Sequence, residues 1–218
     1  MAFEMSNYIL IATLLAQALL SGSLVVTILV PRLRVWPPPR KGSWQYVFTW
    51  GLTFVSFGGI LVLGILDWNS FVLDHWLRFP VGIAPIALSL FLVLWAIRTL
   101  GTYASQGLGG ELIRAGPYRW TRNPQYVADI LMFAGFAVLS NSMLALVTGS
   151  LGAAWFILAP FTEEPWLREQ FGEEYDRYTN QVPRFVSITK RPKSLSETRR
   201  SSRHLPLSDG TPGADGPI

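Results

Sequence analysis

Cysteine is absent from this 218-residue chain, and histidine occurs only as His75 and His204. The first absence excludes disulfides, thiolate nucleophiles and cysteine-ligated zinc. Two histidines in distant segments are too few for a histidine-based metal centre, so no metal is expected. Charge is also scarce: 15% of residues are Asp, Glu, Lys or Arg, against about a quarter in an ordinary soluble domain. The gaps are concentrated. No charged residue occurs in 5–31, 42–66 or 79–97, and a further uncharged run covers 130–162. One helical crossing of a hydrocarbon core takes about 20 residues. Each of the first three runs supplies one crossing, and the last is too long for one.

These gaps predict an all-α, polytopic membrane bundle of about five transmembrane helices, over 8–30, 44–66, 81–100, 124–140 and 143–161. Asn141-Ser142 divides the last uncharged run into a tight hairpin. Trp44, Tyr46, Trp50 and Trp68 sit at span ends, as interfacial aromatics do. Ala145, Gly149 and Ala153 recur every four residues and suit close helix packing. The first run does not read as a signal peptide, because the residues before it include Glu4 and no basic residue.

Loop charge gives an expected orientation. Arg32, Arg34, Arg40 and Lys41 fill the first loop, and Arg98, Arg114, Arg119 and Arg122 dominate the third. The second carries Asp67 and Asp74 against Arg78, and the turn at 141–142 is uncharged. Positive loops alternate with non-positive ones, which places the N-terminus outside and the C-terminus in the cytoplasm. Of the net charge of +4, most lies in 187–218, where six Lys and Arg face three acids. That stretch reads as a disordered tail drawn to anionic lipid, and not as a nucleic-acid arm.

Two segments carry the chemistry-capable residues, and both fall on the cytoplasmic side. The first, 112–129, reads LIRAGPYRWTRNPQYVAD. Asn123 is a natural helix cap and Pro124 a natural first helical residue. Gly116-Pro117 turns the chain there and gathers Tyr118, Arg119, Arg122 and Tyr126 at the same junction. Asp129 lies one turn into the span. It faces either a wet functional cavity or an interfacial arginine. The second segment, 162–185, reads TEEPWLREQFGEEYDRYTNQVPRF. It starts with Glu163-Glu164, followed by an amphipathic helix with Leu167, Phe171, Tyr175 and Tyr178 on one stripe. First-turn acids and a packing stripe explain these residues without any enzyme.

Taken together and in order, GPYRxxRxPxY, a hydrophobic hairpin and EExxLxxxFGEEYxxYxxxVPRF resemble the isoprenylcysteine carboxyl methyltransferase and phospholipid N-methyltransferase superfamily. The resemblance covers about a third of the chain. It implies an integral membrane methyltransferase that uses S-adenosylmethionine and acts on a lipophilic or lipidated acceptor entering from the bilayer. Gly116, Pro117, Tyr118, Arg122, Asn123, Pro124 and Tyr126 then form one cofactor-binding element. Glu163, Glu164, Tyr175 and Tyr178 form the other, with Arg122, Asn123, Asp129 and Glu164 as catalytic candidates. The carboxyl methyltransferase branch has His where this chain has Asn123. Asn hydrogen-bonds but does not change charge near neutral pH, so the match there favours positioning over proton transfer.

In that frame residues 1–100 are a scaffold for the acceptor, 101–186 the cofactor-binding and catalytic region, and 187–218 the tail. An arginine suits the cofactor's carboxylate, Glu163 or Glu164 its ammonium or ribose hydroxyls, and tyrosine faces its sulfonium. A prenylcysteine-like carboxylate, a phospholipid amine and a thiol all fit as acceptors at this level. A base, where one is needed, comes from Asp129, Glu163 or Glu164. Two other readings stand beside this one. One is an NADPH-dependent membrane reductase of the sterol or steroid type, similar at the RxPxY motif but disfavoured by two adjacent acids. The other is a non-catalytic membrane relative.

Overall fold

The first uncharged run forms α1 (Ala2–Leu29), the second α2 (Trp44–Leu66) and the third α3 (Arg78–Leu100) in the computed structural model, which describes residues 2–186. The fourth run splits at Asn141 into α4 (Pro124–Ser140) and α5 (Met143–Leu158), followed by α6 (Pro160–Phe171) and α7 (Glu173–Gln181). Among the described residues there are helices and turns but no strands, as the all-α expectation requires. Four stretches are long and apolar enough to cross a bilayer: 4–29, α2, α3, and α5 running on into α6 as far as Phe171. The chain is thus an integral membrane protein. The fifth expected crossing, α4, is apolar but has only 17 residues, a rise of roughly 26 Å against a core of about 30 Å.

Packing follows the small residues. Helix α3 lies along α4, α1 along α2, and α5 touches α1, α2 and α4. Gly82 of α3 and Gly135 of α4 bring the backbones of these two helices close together. A Cβ on Gly82 would stand 2.8 Å from the Gly135 carbonyl, and one on Gly135 would stand 2.7 Å from that of Gly82. The stripe predicted on α5 also packs closely, with Ala145 beside Gly64 and Gly149 beside Phe133. Helices α2 and α3 share no extensive contact. They flank α4, and a space lies between them.

The hairpin turn is locked by polar groups. Asn141 adopts a left-handed conformation and is fully buried; its amide donates to Asn69 and to the Phe71 carbonyl, and its oxygen accepts from the Leu73 amide. Ser142 caps α5 by accepting from the Ala145 amide, and Asp67 accepts from Ser70, Ser142 and the Leu144 amide. Partial burial pushes Asp67 up, but these donors outweigh it and hold its carboxyl below the ordinary value. The described residues fall in one unit, and α3 and its packing partner α4 stand on either side of the division expected at residue 100. The expected tail, 187–218, lies outside the described residues.

Candidate active site

A cavity of about 690 Å³ opens where the first half of α2, the last turns of α3, the start of α4 and the α5–α6 junction meet the loop 101–113 and α7. Its wall is mostly apolar along α2 and α3, with Trp50, Phe54, Phe57, Val93 and Ile97. It turns polar where Tyr118, Arg122, Tyr126, Asp129, Glu163 and Glu164 converge. Of the residues expected to bind or act, Tyr118, Arg122, Asn123, Pro124, Tyr126, Asp129, Glu163, Glu164, Tyr175 and Tyr178 all line this cavity. Gly116 and Pro117 are not on its wall. Gly116, at φ +54, packs against Thr99 and Trp95 of α3, and Pro117 is buried behind Tyr118. They set the path of the loop that carries Tyr118 and Arg122 to that wall.

The loop at 121–123 is latched to the end of the chain's second motif. The Arg122 amide donates to the Pro183 carbonyl at 3.0 Å, while Thr121 Oγ1 and Asn123 Nδ2 both donate to the Arg184 carbonyl, at 3.0 and 2.9 Å. Asn123 therefore does not cap α4 as expected. Its backbone (φ −128, ψ 58) is outside the extended region that capping uses, and its amide is spent on the strap, the segment 182–186 that follows α7. Pro124 does take the first helical position.

Two acids adjacent in sequence have different partners. Glu164 is buried and held by two arginines: Arg184 contributes a two-pronged pair at 2.7 and 2.8 Å, and Arg122 Nη2 lies 3.1 Å away. Arg122 is itself only 10% exposed, and its Nε has no partner among the described residues. The bond to Glu164 raises Arg184 above the usual guanidinium value, against the smaller effect of burial. Glu163 instead accepts from the Trp36 indole N–H and from the Tyr126 hydroxyl on one carboxylate oxygen. Trp36 comes from the α1–α2 loop and is 5% exposed. Neither Trp36 nor Arg184 was a candidate from sequence. Arg184 had a signal, since it stands in the VPRF that closes the second motif, whereas Trp36 had only its place beside a proline run.

The amphipathic stripe is present but not on one helix. Gly172 (φ +52) breaks it between α6 and α7, because this left-handed conformation costs glycine nothing and any side chain something. Across the break Leu167, Phe171, Tyr175 and Tyr178 still form one cluster, together with Leu112 and Val182. Tyr178 donates to the Tyr118 carbonyl at 2.8 Å and stands edge-on to Tyr175. Burial pushes all three phenols, Tyr118, Tyr175 and Tyr178, above their ordinary range, so they are neutral at physiological pH. Asp129 takes neither an arginine nor any other hydrogen-bond partner among the described residues, so its pairing at the interface does not occur.

Elements gathered on one side of a membrane bundle, with both sequence motifs walling one cavity, find a counterpart among known families. Residues 77–174 match the phospholipid methyltransferase family. The matched segment takes in α3 to α6 and the polar end of the cavity except for α7 and the strap. Among curated proteins the chain is 26% identical over 111 residues to a steroid 5-alpha-reductase, DET2, of Solanum lycopersicum, covering 51% of this chain and 43% of that protein. It is 28% identical over 154 residues to the cobalt-zinc-cadmium resistance protein CzcN of Cupriavidus metallidurans, covering 67% and 62%. With the uncharacterized protein YpbQ of Bacillus subtilis it shares 32% over 96 residues, covering 42% and 53%. The chain thus spans about half the length of the curated relatives it matches. No solved structure matches it.

Proposed function

We propose that this protein transfers a methyl group from S-adenosylmethionine to a lipophilic acceptor that reaches the cavity from the bilayer, on the cytoplasmic side. The observation that carries this reading is the charge of the cavity wall. Glu111, Asp129, Glu163 and Glu164 line it against a single basic residue, Arg122, whose terminal nitrogen is already engaged by Glu164. Such a wall suits a ligand bearing an ammonium and a sulfonium with one carboxylate. The fit is specific at both ends. The unpartnered Arg122 Nε is a buried donor suited to the carboxylate. Glu163, anchored through one oxygen, suits the ammonium or the ribose hydroxyls.

The bound cofactor supplies an electrophilic methyl group. The protein's part is then to bind, align and keep water out. Tyr118, Tyr175 and Tyr178 offer neutral aromatic faces, which attract a cation without competing for a proton. Trp36 and Tyr126 fix Glu163. Arg184 and Arg122 fix Glu164, which makes Glu164 a positioning residue that ties the strap to the loop. The apolar end, between α2 and α3, accepts the hydrocarbon part of the acceptor.

The likeness to a steroid 5-alpha-reductase favours a second reading, a reductase using NADPH. The same wall argues against it, since a dinucleotide's phosphates meet acids there and no free cation. Calorimetric titration of the detergent-purified chain separates the two. S-adenosylmethionine is expected to bind and NADPH not to bind. Saturable NADPH binding without S-adenosylmethionine binding would reverse the assignment.

A further inference from the structure

Two acids of the polar wall have no role in the site described above, Glu111, which is exposed, and Asp129, which is set inside the bundle. Asp129 sits one turn inside α4 beyond Tyr126, deep among protein atoms yet partly accessible, and it lines the cavity. Glu163 and Glu164 are both held by neighbouring donors, but no donor reaches Asp129. Along α2 and α3 the same wall is apolar, with Phe54, Phe57 and Val93 among its residues. An ionisable group without a partner at this depth is costly unless a ligand completes it.

On that geometry we infer that Asp129 recognises the methyl acceptor, and that the acceptor is a lipophilic amine whose reacting end bears neither a carboxylate nor a phosphate. This rests on the methyltransferase reading and narrows it. A carboxylate acceptor is repelled by Asp129. A phosphate close to the amine finds no cation, because Arg122 is the sole basic residue on the wall, its Nη2 is paired with Glu164 and its Nε is the donor assigned to the cofactor's carboxylate. A long-chain ammonium satisfies Asp129 and lays its chain in the space between α2 and α3.

The step balances simply. The ammonium gives one proton to the Asp129 carboxylate, and the freed nitrogen lone pair forms the N–C bond. The C–S bond breaks with its electron pair left on sulfur, converting the sulfonium to a thioether, and the proton leaves Asp129 for water. Asp129 is thus both the recognition group and the proton acceptor.

The test begins with cofactor-free protein, whose Trp50 and Trp155 on the cavity wall report occupancy by fluorescence. Dodecylamine is expected to quench saturably. Asp129→Asn, similar in shape but uncharged, is expected to bind it about tenfold to a hundredfold more weakly, the loss of one charged hydrogen bond. Asp129→Glu is expected to recover part of the affinity. Dodecanoate is expected not to compete. With labelled S-adenosylmethionine added, N-methyldodecylamine forms on the unaltered protein in preference to any methylated phosphatidylethanolamine or S-prenylcysteine ester. Equal dodecylamine binding by Asp129→Asn and the unaltered chain, both folded by circular dichroism, would overturn the inference. So would preferred methylation of phosphatidylethanolamine or of a carboxylate. Absence of S-adenosylmethionine binding strikes the methyltransferase reading instead, and is measured separately from the amine titration.

Discussion

Replacing Glu164 with Ala abolishes S-adenosylmethionine binding and lowers the stability of the fold by about 3–5 kcal/mol, the cost of leaving a buried ion-pair partner alone. The large effect comes from Arg122. Its side chain is 10% exposed and its Nε is already unpartnered, so without Glu164 the whole guanidinium stands buried with no counter-charge. Arg184 adds less, because it is 31% exposed and water takes over part of its solvation. For the same reason Arg184→Ala costs less than Glu164→Ala, since Glu164 keeps Arg122. Unfolding in denaturant and calorimetric titration measure the two effects. A Glu164→Ala protein as stable as the unaltered chain would mean that the two arginines are not organised by this acid.

Glu163→Gln separates binding from folding. Glutamine keeps the shape and an acceptor oxygen for Trp36 and Tyr126, so the unfolding midpoint is expected to stay within error. What is lost is charge facing the cavity. S-adenosylmethionine affinity then falls by about 10- to 100-fold, the equivalent of about 1.5–3 kcal/mol for a hydrogen bond to a charged group. Titration of the Gln variant beside the unaltered protein reads this directly. Unchanged affinity would move the cofactor's ammonium away from Glu163. The contrast between neighbours, one acid structural and one facing the ligand, follows from their partners and not from their position in the sequence.

Much of this molecule was readable in advance because membrane insertion writes itself locally. A charge-free run is a property of consecutive residues, so α1, α2, α3 and the hairpin at Asn141 appear where composition places them. The gathering of Tyr118, Arg122, Tyr126, Glu163 and Glu164 was legible from two motifs separated by a hairpin, which must return the chain to the side it left. What failed were readings that assumed a local partner. Asn123 has the residue type of a cap, yet its amide goes to a carbonyl 61 residues away. The stripe on 167–178 has helical spacing, yet Gly172 breaks the helix while tertiary packing preserves the cluster. The partners of the two acids, Trp36 with Glu163 across 127 residues and Arg184 with Glu164 across 20, are set by packing that no periodicity encodes.

The central claim is methyl transfer at this cavity, and its most direct measurement uses the purified full chain, methyl-labelled S-adenosylmethionine and a total lipid extract. Label is expected in the organic phase with the unaltered protein and not with Glu164→Ala. Label confined to the aqueous phase, from folded protein that binds the cofactor and has been offered acceptors of every class named above, would contradict the account.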